Sequence, residues 1–265
     1  MLFKQFSNKP LQKQNFNLLL LTATITPPAG VPLLARTDPN ARLQDYEKAL
    51  QFYLQFLNKG IDAIVFAENS NSDVSTLKNI VTQSGLQDAV EFLVFDGLDY
   101  PPNYGRAYGE FKLIDYVMAH SQTIRKHKDN LLVWKITGRY IIRNIAKIIA
   151  RKPSDIDIYV NLRKFPILWA DMYLLVWTTK AYETFFGKIL TNMIADPSLK
   201  VQPEEVFIKL LEQPLEGLMV RKRFNVIPFI DGARGSDNQN YSEGRNLRKY
   251  YIRSSINKLL PWLWI

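Results

Sequence analysis

The chain contains no cysteine and only two histidines in 265 residues. Without thiols there are no disulfides, no zinc–thiolate sites and no thiol nucleophile, and two histidines do not support a multi-histidine metal centre. Long hydrophobic runs are missing as well. Leu18-Leu19-Leu20-Leu21 is too short to cross a bilayer, and Asn15 and Asn17 interrupt the apolar stretch a signal peptide needs. No Gly-x-Gly-x-x-Gly turn follows the first apolar segment, which runs into Pro27 and Pro28, and no Gly-Lys-Ser/Thr P-loop occurs. These absences weigh against dehydrogenase, NTPase and methyltransferase chemistry. Acidic residues are in deficit, 25 Asp plus Glu against 34 Lys plus Arg, for a formal charge of +9. Such a surface attracts anions, whether nucleic acid, anionic headgroups or phosphorylated small molecules.

Hydrophobic content of 47% with 22% charged residues is enough for a sizeable core. Residues 1–14 are polar and basic, and are read as a flexible N-terminus. From Asn15 the pattern predicts a strand to Ile25, then a proline-rich loop and a helix opened by Asp38-Pro39, an N-cap followed by proline at the first helical position. Leu43, Tyr46, Leu50, Tyr53, Leu54 and Leu57 recur on one face of that helix, and Gly60 closes it. A second strand covers Ile61 to Ala67 and a helix runs from about Asp73 to Ser84. A third strand spans Val90 to Phe95, with a loop to Tyr108 and a helix from Gly109. A fourth strand spans Leu131 to Ile136. Strand, loop and helix recurring in this order predict an α/β fold with a mostly parallel sheet flanked by helices.

Beyond Ile149 the pattern changes. Ile156–Val160 and Met172–Thr178 read as strands, Tyr182–Ile194 and Glu204–Leu211 as helices, and Leu218–Ile230 as a longer strand or hairpin. Residues 15–242 are expected to form a single domain, followed by a basic, Trp-rich helix and tail over 243–265.

Four loops fall at the carboxyl ends of the predicted parallel strands: Thr26–Arg42, Asn69–Asp73, Asp96–Glu110 and Thr137–Arg143. In an open α/β sheet these ends share one edge. Arg36, Arg42, Arg106, Lys112, Lys135, Arg139 and Arg143 would converge there beside Asn69, Asn71, Asp73, Asp96, Asp99 and Glu110, a set that suits a phosphate-bearing ligand.

The strand ending Thr22-Ala23-Thr24-Ile25, then Arg36-Thr37-Asp38-Pro39-Asn40-Ala41-Arg42, Glu68-Asn69-Ser70-Asn71, Tyr104-Gly105-Arg106-Ala107-Tyr108-Gly109-Glu110 and Lys135-Ile136-Thr137-Gly138-Arg139-Tyr140 together resemble bacterial glycosyltransferases of capsule or lipopolysaccharide synthesis. The resemblance covers roughly residues 16–145 and, more weakly, the Gly232–Tyr241 turn. It implies a GT-A-like, Rossmann-like domain, with a nucleotide-sugar half over about 15–150 and an acceptor half over about 151–242. It also implies a nucleotide-sugar donor and a glycan or lipid-linked acceptor.

On that resemblance Thr24, Arg36, Arg42, Asn69, Asn71, Tyr104, Arg106, Lys135, Thr137, Gly138 and Arg139 are the expected donor-binding residues, with Tyr104 and Tyr108 as stacking rings. The Asp-x-Asp metal motif of GT-A enzymes is missing where the fourth strand ends Lys135-Ile136-Thr137-Gly138-Arg139. Lys135, Arg139 and Arg106 would then stabilise the leaving diphosphate, and no metal cofactor is expected. The alternative is Mn²⁺ or Mg²⁺ at Asp155-Ile156-Asp157, a triplet whose alternation also fits an ordinary strand start.

The general base expected of an inverting transferase is Glu110, at a loop-to-helix junction, with Asp96 second. A Glu in a first helical turn also complements the macrodipole, and His120 and His127 fit helix C-terminal positions. In the last helix Arg245, Arg248 and Lys249 share one face, and Ile252, Ile256, Leu259 and Leu260 another, before Trp262 and Trp264. This pattern suits an anionic membrane surface or packing on the domain. A cytoplasmic location is expected, peripheral on the inner membrane face if the helix binds lipid. Two other readings stay open: a nucleic-acid-binding protein, which lacks any recognised module here, so no nucleic acid is expected as partner, and a glycoside hydrolase using Asp96 and Glu110.

Overall fold

The computed structural model describes residues 15–165, 167–195, 202–260 and 262–263. The N-terminal segment 1–14 and Trp264 lie outside them. The elements in chain order are β1 (Phe16–Ala23), α1 (Pro39–Leu54), β2 (Ala63–Glu68), α2 (Ser75–Gln83), β3 (Val90–Val94), α3 (Gly105–His120), α4 (Gln122–His127), β4 (Leu131–Thr137), β5 (Ile141–Ile142) and α5 (Ile145–Ala150). Then follow β6 (Ile158–Tyr159), β7 (Leu162–Arg163), β8 (Trp169–Ala170), β9 (Leu174–Thr178), α6 (Thr179–Thr184), α7 (Pro203–Glu212), β10 (Val220–Arg221), β11 (Ile230–Asp231) and α8 (Gly244–Leu259).

Seven strands form one sheet in the order β10-β6-β9-β4-β1-β2-β3. β4, β1, β2 and β3 are parallel, as the strand–loop–helix repeat predicts. β9 enters antiparallel between β4 and β6. The near-continuous apolar character of β1 follows from cover on both faces. Leu19 and Leu21 point into one core with Tyr46, Leu50, Leu77 and Ile148 of α1, α2 and α5. Leu18 and Leu20 point into the other with Phe111, Ile114, Ile124, Ala181 and Phe207 of α3, α4, α6 and α7.

The cap at Asp38 forms as expected, its side chain accepting from the Asn40 amide with Pro39 opening α1. Four boundaries differ from the sequence reading. α1 ends at Leu54, and Gly60, at φ +112°, instead serves the turn leading into β2. α3 starts at Gly105, not Gly109, so Glu110 sits in its second turn and not at the positive end of the helix. The expected helix over Tyr182–Ile194 is only α6 followed by short 3₁₀ turns at Phe186–Lys188 and Leu190–Met193. Leu218–Ile230 is no hairpin: Val220 pairs with Ile158 in the main sheet, and Ile230 pairs with Ile142 in a separate two-stranded sheet.

Candidate functional site

A cleft of about 1170 Å³ opens above the carboxyl ends of β1 and β4. The chain leaves β1 toward β2 on one side and returns to β4 on the other, so the loops diverge and leave a crevice between these two strands. The cleft is lined from the β1 loop by Thr22, Thr24, Pro27 and Leu34, from α3 by Gly105, Arg106 and Glu110, and from β4 onward by Thr137, Arg139 and Tyr140. The opposite wall comes from Asn161, Arg163 and residues 169–173, the start of α7, the 227–236 segment and the inner face of α8.

Strand alternation builds the floor. Leu18, Leu20 and Thr22 of β1 share one face, as do Leu131, Val133, Lys135 and Thr137 of β4, and that face meets α3. On α3, Glu110 lies one turn before Leu113 and Ile114 and two turns before Val117, on the same stripe. Where the apolar stripe stops, polar groups meet. Glu110 Oε1 accepts from Thr22 Oγ1 at 2.8 Å and Thr137 Oγ1 at 3.1 Å, and pairs with Lys135 Nζ at 2.6 Å. Oε2 has no partner among the described residues. Lys135 is 0% exposed, and its ammonium also donates to the Met172 carbonyl at 3.0 Å. Burial pushes the Lys135 ammonium below the ordinary lysine value, and the Glu110 carboxylate opposes that shift.

Seven cationic side chains and three carboxylates line the cleft among the described residues: Arg42, Arg106, Arg139, Arg163, Arg234, Lys249 and Arg253 against Glu110, Asp171 and Glu204. Several are already engaged. Arg42 donates to the carbonyls of Thr24 and Arg36, tying the proline-rich loop to α1, and burial lowers its pKa. Arg163 pairs with Asp171 at 3.0 Å, and Asn161 holds the other Asp171 oxygen. Arg234 pairs with Asp237.

Arg139 differs. It is 7% exposed and donates from Nη1 to the Ala233 carbonyl at 3.0 Å, yet its Nε is buried without an acceptor among the described residues. Gly235 explains its position: a Cβ there would stand 3.1 Å from Arg106 Nη1 and 3.2 Å from Arg139 Nη2. Two guanidinium groups therefore approach the same glycine, one from the turn after β4 and one from α3.

Of the residues expected at the site, Thr24, Arg42, Arg106, Glu110, Thr137 and Arg139 line the cleft. Lys135 is buried beneath it. Gly138 lies behind it, where a Cβ would stand 2.8 Å from the Thr22 carbonyl oxygen. Arg36 lies outside the lining in a bidentate pair with Asp45. Asn69 and Asn71 are drawn into the β2 turn: Asn69 accepts from Thr24 Oγ1 at 2.6 Å, while buried Glu68 takes the amides of Ile25, Ser70 and Ser72. Asp96 is exposed beyond β3, away from the cleft.

Tyr104 packs edge-on against Tyr108 outside the lining, and Tyr100 takes the cleft position. Lys112 pairs with Asp99, and Arg143 with Asp231. His120 stacks on Tyr116 and His127 on Phe16. Asp157 accepts from Thr178, which pairs in register with Leu132 at the start of β4, so Asp155-Ile156-Asp157 sits on the edge opposite the cleft. Asp155 pairs with Arg221.

The sequence reading missed Arg163, Asp171, Glu204 and Tyr241. The antiparallel return of β9 brings Asn161, Arg163 and residues 169–173 to the β1/β4 edge, and no local pattern announces that. Glu204, in the first turn of α7, is half-buried; burial raises its carboxyl pKa while Arg106 pulls it down.

Neither a scan against protein-family models nor a search of curated proteins finds a match. Solved structures with some likeness include a protein assigned as a nucleotide-diphospho-sugar transferase from Desulfovibrio desulfuricans G20, at 11% identity and TM-score 0.43 over 95% of this chain and 100% of that one. Another is 4-diphosphocytidyl-2C-methyl-D-erythritol synthase, at 9% identity and TM-score 0.45 over 91% and 97%. A third is the inositol-1-phosphate CTP transferase from T. maritima, at 13% identity and TM-score 0.44 over 93% and 98%. Likeness of this degree carries no argument about what this chain binds or does.

Proposed function

We propose that the chain is a nucleotide-sugar-dependent glycosyltransferase of surface-glycan synthesis, GT-A-like in the placement of its cleft. Arg139 is the observation that carries this reading. A buried guanidinium with an unpaired Nε beside a second guanidinium at a glycine is costly by itself, and an anion in the cleft would offset that cost. In the proposed reaction the acceptor hydroxyl attacks the anomeric carbon and passes its proton to Glu110 Oε2. The bond from that carbon to the phosphate oxygen breaks, and the nucleoside diphosphate, or monophosphate from a CMP-sugar, leaves with the electron pair. Arg139 and Arg106 hold the charge that develops on it. These fixed cations take the place of a metal, so the reading is metal-independent.

A thermal-shift screen of UDP-, GDP-, dTDP- and CMP-sugars, with and without Mn²⁺ or Mg²⁺, tests this. At least one is expected to stabilise the chain without metal, and Arg139→Gln is expected to abolish the shift. Silence of all four classes sinks the reading, and stabilisation only with metal sinks its metal-independent part.

A further inference from the structure

The cleft has a second cationic pole, built from different elements. α8 directs Asn246, Lys249, Tyr250 and Arg253 toward the cleft, a three- and four-residue spacing that puts them on one face. Tyr250 stacks on Phe229 with ring centroids 4.5 Å apart and planes at 16°, which fixes that face. Neither Lys249 nor Arg253 forms an ion pair among the described residues. Asp171, the carboxylate of this corner, gives both its oxygens to Arg163 and Asn161.

Slight desolvation, then the neighbouring Arg245, Arg253, Arg234 and Arg163, hold the Lys249 ammonium below the ordinary lysine value. The helix adds to the strain. Its first turn has no acidic residue, and Arg245 stands there, where the macrodipole is positive. α8 buries no residue fully that could offset this repulsion.

We propose that Lys249 and Arg253, with Arg163, bind a phosphate group on the acceptor, so that the cleft takes one anion at Arg106 and Arg139 and another under α8. Only the word acceptor rests on the glycosyltransferase reading; the second anion site rests on the α8 corner itself. A phosphorylated sugar and a lipid phosphate share the chemistry required.

Calorimetric titration of the full chain tests this with UDP, GDP, glucose 6-phosphate, and phosphatidylglycerol vesicles beside neutral phosphatidylcholine ones. Glucose 6-phosphate or the anionic vesicles should bind the wild-type chain. Lys249→Gln and Arg253→Gln should each weaken that binding about tenfold, as loss of a charge-assisted bond does, whereas Arg106→Gln should leave it within about twofold. Lys249 is exposed, so its variant tests the site even if Arg253→Gln folds poorly. Weakening by Arg106→Gln equal to that by Lys249→Gln would mean one anion site and overturn the proposal, as would no binding of either phosphate probe. If UDP and GDP fail to bind while glucose 6-phosphate behaves as stated, the glycosyltransferase reading falls and the second anion site stands.

Discussion

Glu110 carries its three hydrogen-bonding and ionic partners on one oxygen and leaves the other open, an arrangement that fixes a carboxylate without exhausting it. Glu110→Gln should lower transfer by about 10²- to 10³-fold, in the range of general-base losses, while nucleotide affinity stays near wild type in a direct titration. Lys135→Met should cost about 3 kcal/mol in urea unfolding, because the buried half of the pair vanishes while the carboxylate stays. Glu204 makes the pH argument. Its carboxyl pKa is raised by burial, so the folded chain holds that proton to higher pH than the unfolded chain does. Stability therefore falls as pH rises from the ordinary carboxylate value through the folded one. Glu204→Gln should melt higher than wild type at neutral pH, and the difference should vanish in acid.

For α8 the sequence pattern offered an anionic membrane surface or packing on the domain, and the structure holds its Lys249 and Arg253 over the cleft while Ile252, Leu259 and Trp262, 70% exposed, face solvent. No helix among the described residues is long and apolar enough to cross a membrane. The Tyr250–Phe229 stack fastens α8, and such a pair is worth about 0.5–1.5 kcal/mol beyond its area. Tyr250→Ala should speed hydrogen exchange of the α8 amides and leave those of β1 and β4 protected. Equal exchange in both variants would mean that other contacts hold the helix.

At the scale of the whole molecule, two cores share one sheet, and adjacent residues of β1 serve opposite cores. Leu20→Ala and Leu21→Ala should each destabilise by about 3 kcal/mol and move the same single urea transition, followed by both tryptophan fluorescence and far-UV circular dichroism. Separate midpoints for the two signals would show the faces unfolding apart. The shared sheet also explains why the cleft is one space lined by both halves of the chain: β9 adds to β4 and so carries Asn161, Arg163 and residues 169–173 to the same edge.

The sequence by itself determined the four parallel strands and the edge on which their loops end, because apolar runs, the Asp-Pro helix start and glycine breaks act over a few residues. It placed Thr24, Arg42, Arg106, Glu110, Thr137 and Arg139 beside the cleft for the same reason. Only the tertiary structure decided which cations face it. Arg36 is matched by Asp45 a short way along the chain, and Lys135 is sealed under Glu110 by pairing across strand and helix. Arg163, Lys249 and Arg253 arrive from far along the chain through an antiparallel return and a terminal helix. Partners that distant leave no period or spacing in the residues around them, so pairing, burial and the second cationic pole became visible only in the packed chain.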